Sequence, residues 1–104
     1  MILEIATLDV KPGQREAFLA AFAQAAPIIA GMRGYLGHQL QECIENRQRF
    51  ALLVRWRTLE DHTTGFRGSA EYQRWRALLH HFYDPFPTVE HFSLLSGSGQ
   101  TPAI

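Results

Sequence analysis

With 104 residues, the chain has room for one domain around one core and is too short for two. Hydrophobic residues make up 46% and charged residues 19%, an ordinary balance for a globular protein that excludes a disordered or fibrous chain. Lys and Arg number 10 and so do Asp and Glu, so no net charge calls for nucleic acid or another polyanion as a partner.

Residues 2–10 are mostly apolar and stop before Lys11-Pro12-Gly13, which predicts a strand closed by a turn. The opening MILEIATLDV carries Glu4 and no basic stretch, unlike a signal peptide. No apolar run approaches the ~20 residues of a membrane span. The one cysteine, Cys43, cannot form an intrachain disulfide, and a cytoplasmic protein with no membrane partner is expected.

From Gln14 the period changes. Phe18, Ala21, Phe22, Ala25 and Ile28 or Ile29 recur at steps of three and four, the stripe of an amphipathic helix. Pro12 suits its start, Glu16 suits its first turn, and Pro27 is expected to kink or end it. Gly31 to Gly34 then breaks the chain before YLGHQLQECI, a second strand. A polar turn at 45–48 leads to RFALLVRWR, a third strand that pairs with the second as a hairpin. Its apolar centre, Ala51 to Val54, places it inside a sheet.

Thr58 offers a hydroxyl cap for a short helix from Leu59 to about Phe66. Gly65 and Gly68 interrupt, and Ser69 caps a second helix whose buried stripe is Tyr72, Trp75, Leu78, Leu79 and Phe82. Asp84-Pro85-Phe86-Pro87 stops it, and TVEHFSLL is a fourth strand. The order β-α-β-β-α-β, with its second helical segment split, is the ferredoxin-like arrangement of an α+β fold. One domain over residues 1–95 is expected, followed by a flexible tail at 96–104.

The strands carry apolar groups on both faces: Ile2, Ala6, Leu8 and Val10 alternate with Leu3 and Ile5, and Phe50, Leu52, Val54 and Trp56 with Ala51 and Leu53. Helices in this topology cover one face only. The other would expose side chains worth roughly 1.5–3 kcal/mol each on full burial, and a second copy of the sheet is the simplest cover, so a homodimer is expected.

VKPGQREAFLAAF after the first strand, GYLGHQLQE as the second, FALLVRWRTLEDHTTGF and then SAEYQRW together resemble the antibiotic biosynthesis monooxygenase domain family. The resemblance covers residues 2 to about 94. It implies a dimeric α/β barrel in which two ferredoxin-like sheets face each other. It also implies oxidation of a small aromatic, polyketide-like or quinol molecule by O2 without metal or flavin cofactor, although other members degrade haem or have no assigned reaction. The haem-degrading branch uses an asparagine, a tryptophan and a histidine. The first strand here has no asparagine, Thr7 being the nearest counterpart, and with Ser69 as anchor Phe66 and Arg76 stand at the other two positions, so the resemblance does not extend to that mechanism.

The histidines divide by spacing. His80 and His81 are adjacent and point about 100° apart on a helix, which does not suit one metal ion, and both read as solvated. Leu59, His62, Thr63 and Phe66 share one helical face, which turns His62 inward. There it is either a satisfied core histidine or a base in a cavity, a role its ordinary pKa suits. His91 shares a strand face with Val89 and Ser93, and His38 lies with Leu36 and Leu40. His62 is the first candidate base, with Tyr72 and His91 as orienting groups. Thr7, Trp56, Phe66, Trp75 and Arg76 are candidate substrate contacts, and no metal site is expected. A non-catalytic binding or stress-associated barrel protein, or an isomerase or cyclase on the same fold, is the alternative reading.

Overall fold

The computed structural model describes residues 1–99. Four strands form one antiparallel sheet in the order β2-β3-β1-β4. They are β1 (Ile2–Asp9), β2 (Tyr35–Glu42), β3 (Arg49–Trp56) and β4 (Val89–Phe92). Two helices, α1 (Arg15–Ala30) and α2 (Ala70–Leu79), pack together over one face. This is the expected β-α-β-β-α-β order.

Strand period assigns the two faces. In β1, Glu4, Ala6 and Leu8 point under the helices, and so do Phe50, Leu52, Val54 and Trp56 in β3; all seven are buried. Phe18, Phe22, Ala25 and Ile29 of α1 and Trp75 and Leu79 of α2 close the core from above. On the opposite face, β1 and β3 pair Ile5 with Leu53 and Thr7 with Ala51, and β4 places Phe92 against Leu3. That face therefore has an apolar centre with no second layer in the single chain.

Four local expectations are corrected. Helix α1 does not end at Pro27 but continues to Ala30. Pro27 is exposed, so the carbonyl deprived of its intrahelical donor can be solvated. Pro12 does not begin the helix; it forms a turn with Gly13, whose φ of 78° is open to glycine, and the helix starts at Arg15. Strand β4 stops at Phe92 because it runs off the end of β1: Phe92 already lies opposite Leu3. Leu94 and Leu95 beyond it are 82% and 95% exposed. Residues 100–104 of the expected tail lie outside the described residues.

The fourth correction shapes the cavity. The short helix is a π-helical turn, Asp61–Phe66, closed by an i→i+5 bond of 3.1 Å from the Arg67 N–H to the His62 carbonyl. Thr58 caps it as expected, its hydroxyl accepting from the Asp61 N–H at 3.1 Å. Gly34 seats this turn on the sheet: its φ is 84°, and a side chain there would collide with the Asp61 carboxylate.

Candidate functional site

Between the sheet and the helices lies a cavity of about 340 Å³. The sheet contributes Glu4, Ala6, Leu8 and Leu52 to its wall, and the π turn contributes His62 and Phe66, with Arg67 just after it. Tyr72 and Trp75 come from α2. His80, Tyr83 and Phe86 complete the outer part, where Phe86 is 66% exposed. The walls are aromatic and aliphatic, with charge confined to Glu4 at the buried end and Arg67 near solvent.

Glu4 is 5% exposed and His62 3%, and they are the two buried polar or charged residues of the core. Strand alternation turns Glu4 inward between Ile2 and Ala6, opposite Val54 on one side and His91 on the other. The Trp56 indole N–H donates to Glu4 Oε1 at 2.9 Å. His62 lies flat against the Trp56 ring, with centroids 5.3 Å apart and planes 15° from parallel. Its Nε2 is 3.4 Å from the same Oε1, and its Nδ1 is 2.7 Å from His91 Nε2. A buried chain, Trp56–Glu4–His62–His91, thus links three strands to the π turn.

Burial pushes the His62 pKa down to about 3, and the positive charge of Arg67 and the neighbouring His91 add to the effect. His91 is lowered by burial and by Arg67. Glu4 moves the other way: burial raises it, against the Trp56 hydrogen bond and the Arg67 charge. At neutral pH His62 is therefore a neutral imidazole. The 3.4 Å separation agrees, being longer than the 2.7–2.9 Å typical of a charge-assisted N–H···O bond.

The expected site residues separate into two groups. His62, Phe66, Tyr72 and Trp75 come together on the cavity wall, with Phe66 edge-on to both Tyr72 and Trp75. Trp56 and His91 stand behind that wall, bonded to Glu4 and His62. Thr7 is not a contact: it is exposed, on the face of β1 turned away from the helices. Arg76 is also exposed and away from the cavity, and Arg67 is the cation that lines it.

The four-residue face proposed for the short helix narrows to two. His62 and Phe66 are buried, whereas Leu59 is 38% exposed and the Thr63 hydroxyl donates to the Leu59 carbonyl. His80 is not solvated: it is half-buried, edge-on to Tyr72 and Phe86. The helix tightens into a 3-10 turn at His80–Phe82, and His80, at its start, lines the cavity. His81 is exposed as expected. His38 lies outside the cavity, bonded to the Tyr35 hydroxyl and edge-on to Phe22. An irregularity in β2 between Tyr35 and Gly37 parts it from Leu36, which is 41% exposed.

Glu4 is the member that sequence reasoning missed. Its signal was present, since it shares parity with Ile2, Ala6 and Leu8 on an otherwise apolar face. Among the described residues, no group of three or more His, Cys, Asp or Glu side chains has the geometry to hold a metal ion.

A family model for antibiotic biosynthesis monooxygenases matches residues 1–78. The uncharacterized protein YczJ of Bacillus subtilis (strain 168) is 61% identical over 92 residues, covering 88% of this chain and 97% of that protein. A Bordetella bronchiseptica crystal structure with the same family description is 39% identical and superposes with a TM-score of 0.87, covering 91% of this chain and 97% of the other. The structure of Rv0793 from Mycobacterium tuberculosis, at 20% identity and a TM-score of 0.77, covers 94% and 98% and shares the fold.

Proposed function

Since this chain belongs to the antibiotic biosynthesis monooxygenase family, we propose that its cavity binds a flat phenolic or quinol-type molecule and oxidises it with O2, the substrate itself supplying the electrons. The observation that carries this reading is an aromatic-walled cavity with a titratable pair, Glu4 and His62, at its buried end. Phe66, Tyr72 and Trp75 offer ring faces and edges to a planar ligand. Tyr72 can orient a substrate oxygen, and Arg67 offsets the charge of a substrate anion.

The chemistry needs a proton removed and water kept out. A substrate O–H gives its proton to a base and keeps the electron pair as a phenolate. That anion passes one electron to O2, the resulting radical and superoxide join at a ring carbon, and the peroxide so formed takes back the proton held by the base to become a hydroperoxide. Loss of water from the hydroperoxide leaves a quinone, so phenol and O2 become quinone and water. The protein binds and orients the ring, stabilises the anion and accepts the proton. The Glu4–His62–His91 chain supports the base at this end of the cavity, where His62 was expected to act.

The apolar outer sheet face, centred on Leu3, Ile5, Leu53 and Phe92, supports pairing of two copies across it. Sedimentation at micromolar concentration should then give about twice the mass of one chain; a monomer that stays soluble counts against the paired barrel.

Oxygen uptake with a panel of hydroquinones and polycyclic phenols tests the reaction. Uptake matched by quinone formation supports it. A melting shift on adding the same compounds, with neither oxygen uptake nor quinone, assigns the cavity to binding alone.

A further inference from the structure

We propose that Glu4 is the group that takes the proton from a phenol in this cavity, and that His62 and Trp56 are positioning residues for its carboxylate. The proposal rests on the reading of the cavity as a phenol site and names the atom at which the proton arrives.

A base must present a free lone pair to its substrate. His62 has none to offer. In a neutral imidazole one nitrogen donates and the other accepts. If Nε2–H points at Glu4, the accepting Nδ1 is taken by His91, 2.7 Å away. If Nδ1–H donates to His91 instead, the lone pair of Nε2 faces Glu4 Oε1 rather than the cavity. Either tautomer spends both nitrogens within the protein.

Glu4 differs. Its two contacts, to Trp56 and His62, both fall on Oε1, and among the described residues no hydrogen bond engages Oε2. The carboxyl lines the cavity. Trp56 and the stacked His62 ring hold Oε1 from two directions, which fixes the carboxylate plane. Burial raises the Glu4 pKa toward working pH and so strengthens it as a base, while His62, at about 3, is a weak one. In the step itself the substrate O–H bond breaks, its electron pair stays on the substrate oxygen, and the proton bonds to Glu4 Oε2.

The charged and titratable groups facing Glu4 are His62 and Arg67 from the π turn and its end, and His91 from β4. Tyr72, His80 and Tyr83 share the same cavity from α2 and the chain beyond it. Helix α1 presents only Ile29 to it.

The probe is 4-nitrophenol, whose anion absorbs at longer wavelength than the neutral form, titrated with the intact protein somewhat below the phenol's own pKa. Bound nitrophenol should show the anion band with the wild-type protein; in H62Q the band should remain but weaken, because the carboxylate loses one of its two positioning partners. In E4Q it should bind within about threefold of wild type but remain neutral; Gln keeps an oxygen for the Trp56 N–H and loses the proton acceptor. An anion band in E4Q, or none in the wild type, overturns the assignment.

With a hydroquinone that the wild type oxidises, E4Q should lose kcat by on the order of 10²–10⁴-fold with KM little changed. The acid limb of the wild-type pH profile should lie above the ordinary carboxylate range and be absent from E4Q. Retained turnover in E4Q refutes the role of Glu4. If E4Q does not fold, the wild-type acid limb decides: a midpoint at or below about 4.3, the ordinary Glu value, overturns the proposal. If the wild type consumes no oxygen, the oxidation fails as a reading, and the nitrophenol band still tests Glu4.

Discussion

The two ends of the core under the sheet are built on opposite terms. At one end Phe18 sits among Phe22, Phe50 and Phe82, with ring centroids 6.1, 5.0 and 5.8 Å away, and hydrocarbon rings fill the space. At the other end Trp56 stacks on His62, Glu4 lies beneath them, and a cavity opens beside the pair. The first end gains from every atom of contact and needs only to be filled. The second holds groups that are expensive to desolvate, each acceptable only while its hydrogen-bonding partner stays in place. Strand β1 runs between the two, with Glu4 in the open end and Val10, just past its last residue, buried in the filled one. The filled end answers chiefly for stability, and the open end holds the polar groups on which the proposed chemistry rests.

The sharpest way to break that contrast is to empty the filled end. Phe18→Ala should cost about 3–5 kcal/mol of unfolding free energy by urea titration, since Phe18 is fully buried among rings. A loss below about 1 kcal/mol would mean that this end tolerates vacancy as the cavity end does.

At the open end the expected effect is smaller and of another kind. Trp56→Phe keeps a ring against His62 but removes the N–H that bonds Glu4 at 2.9 Å. It should cost about 1–3 kcal/mol, and it should raise the Glu4 pKa further, moving the acid limb of turnover upward. An unmoved limb would separate Trp56 from the carboxylate.

Acid should expose the polar end selectively. The folded pKa of His62, about 3, lies below its ordinary 6.5, so its contribution is complete above pH 6.5 and is lost as pH falls toward 3. Glu4 is raised from 4.5, so its contribution has the opposite sign: present in acid, lost as pH rises through its folded value. His62→Gln should therefore be less stable than wild type near pH 7 and close that gap near pH 4, as read from urea midpoints. A gap of constant size would show that the His62 proton plays no part in stability.

The least effect belongs to Arg76→Ala. Arg76 is exposed and outside the cavity, so stability should change by less than about 0.5 kcal/mol and turnover should hold. A marked rise in KM would instead return Arg76 to the substrate contacts and open the comparison again.

Most of the fold was legible because alternation in the strands and the three-and-four spacing of α1 record which side is covered. Phe18, Phe22, Ala25 and Ile29 of the indicated stripe are buried, and Ala21 is half-buried. The site was only partly legible. His62 could be read as inward from its apolar neighbours, and the Glu4 parity was there to be read. Arg67 could not be, because it follows a π turn, a departure from 3.6-residue winding that no local pattern of apolar residues announces, and His80 falls off the apolar stripe of α2 yet lines the cavity. Thr7 failed for a simpler reason: it was matched to a family position rather than to the face its parity assigns.

The π turn has a consequence for how such a site can be gained or lost. A π turn fits one more residue into a helical turn than an α-helix does, so it behaves as a single-residue insertion absorbed without lengthening the element. Deleting Thr64 would let residues 61–66 wind back to α geometry, and His62 would swing by about 100°, one residue's rotation, relative to everything after it. The stack on Trp56 and the bond to His91 would go together, while α1, α2 and the sheet register need not change. One codon thus separates a domain that carries the whole polar chain from one that keeps only its Trp56–Glu4 part on an unchanged scaffold.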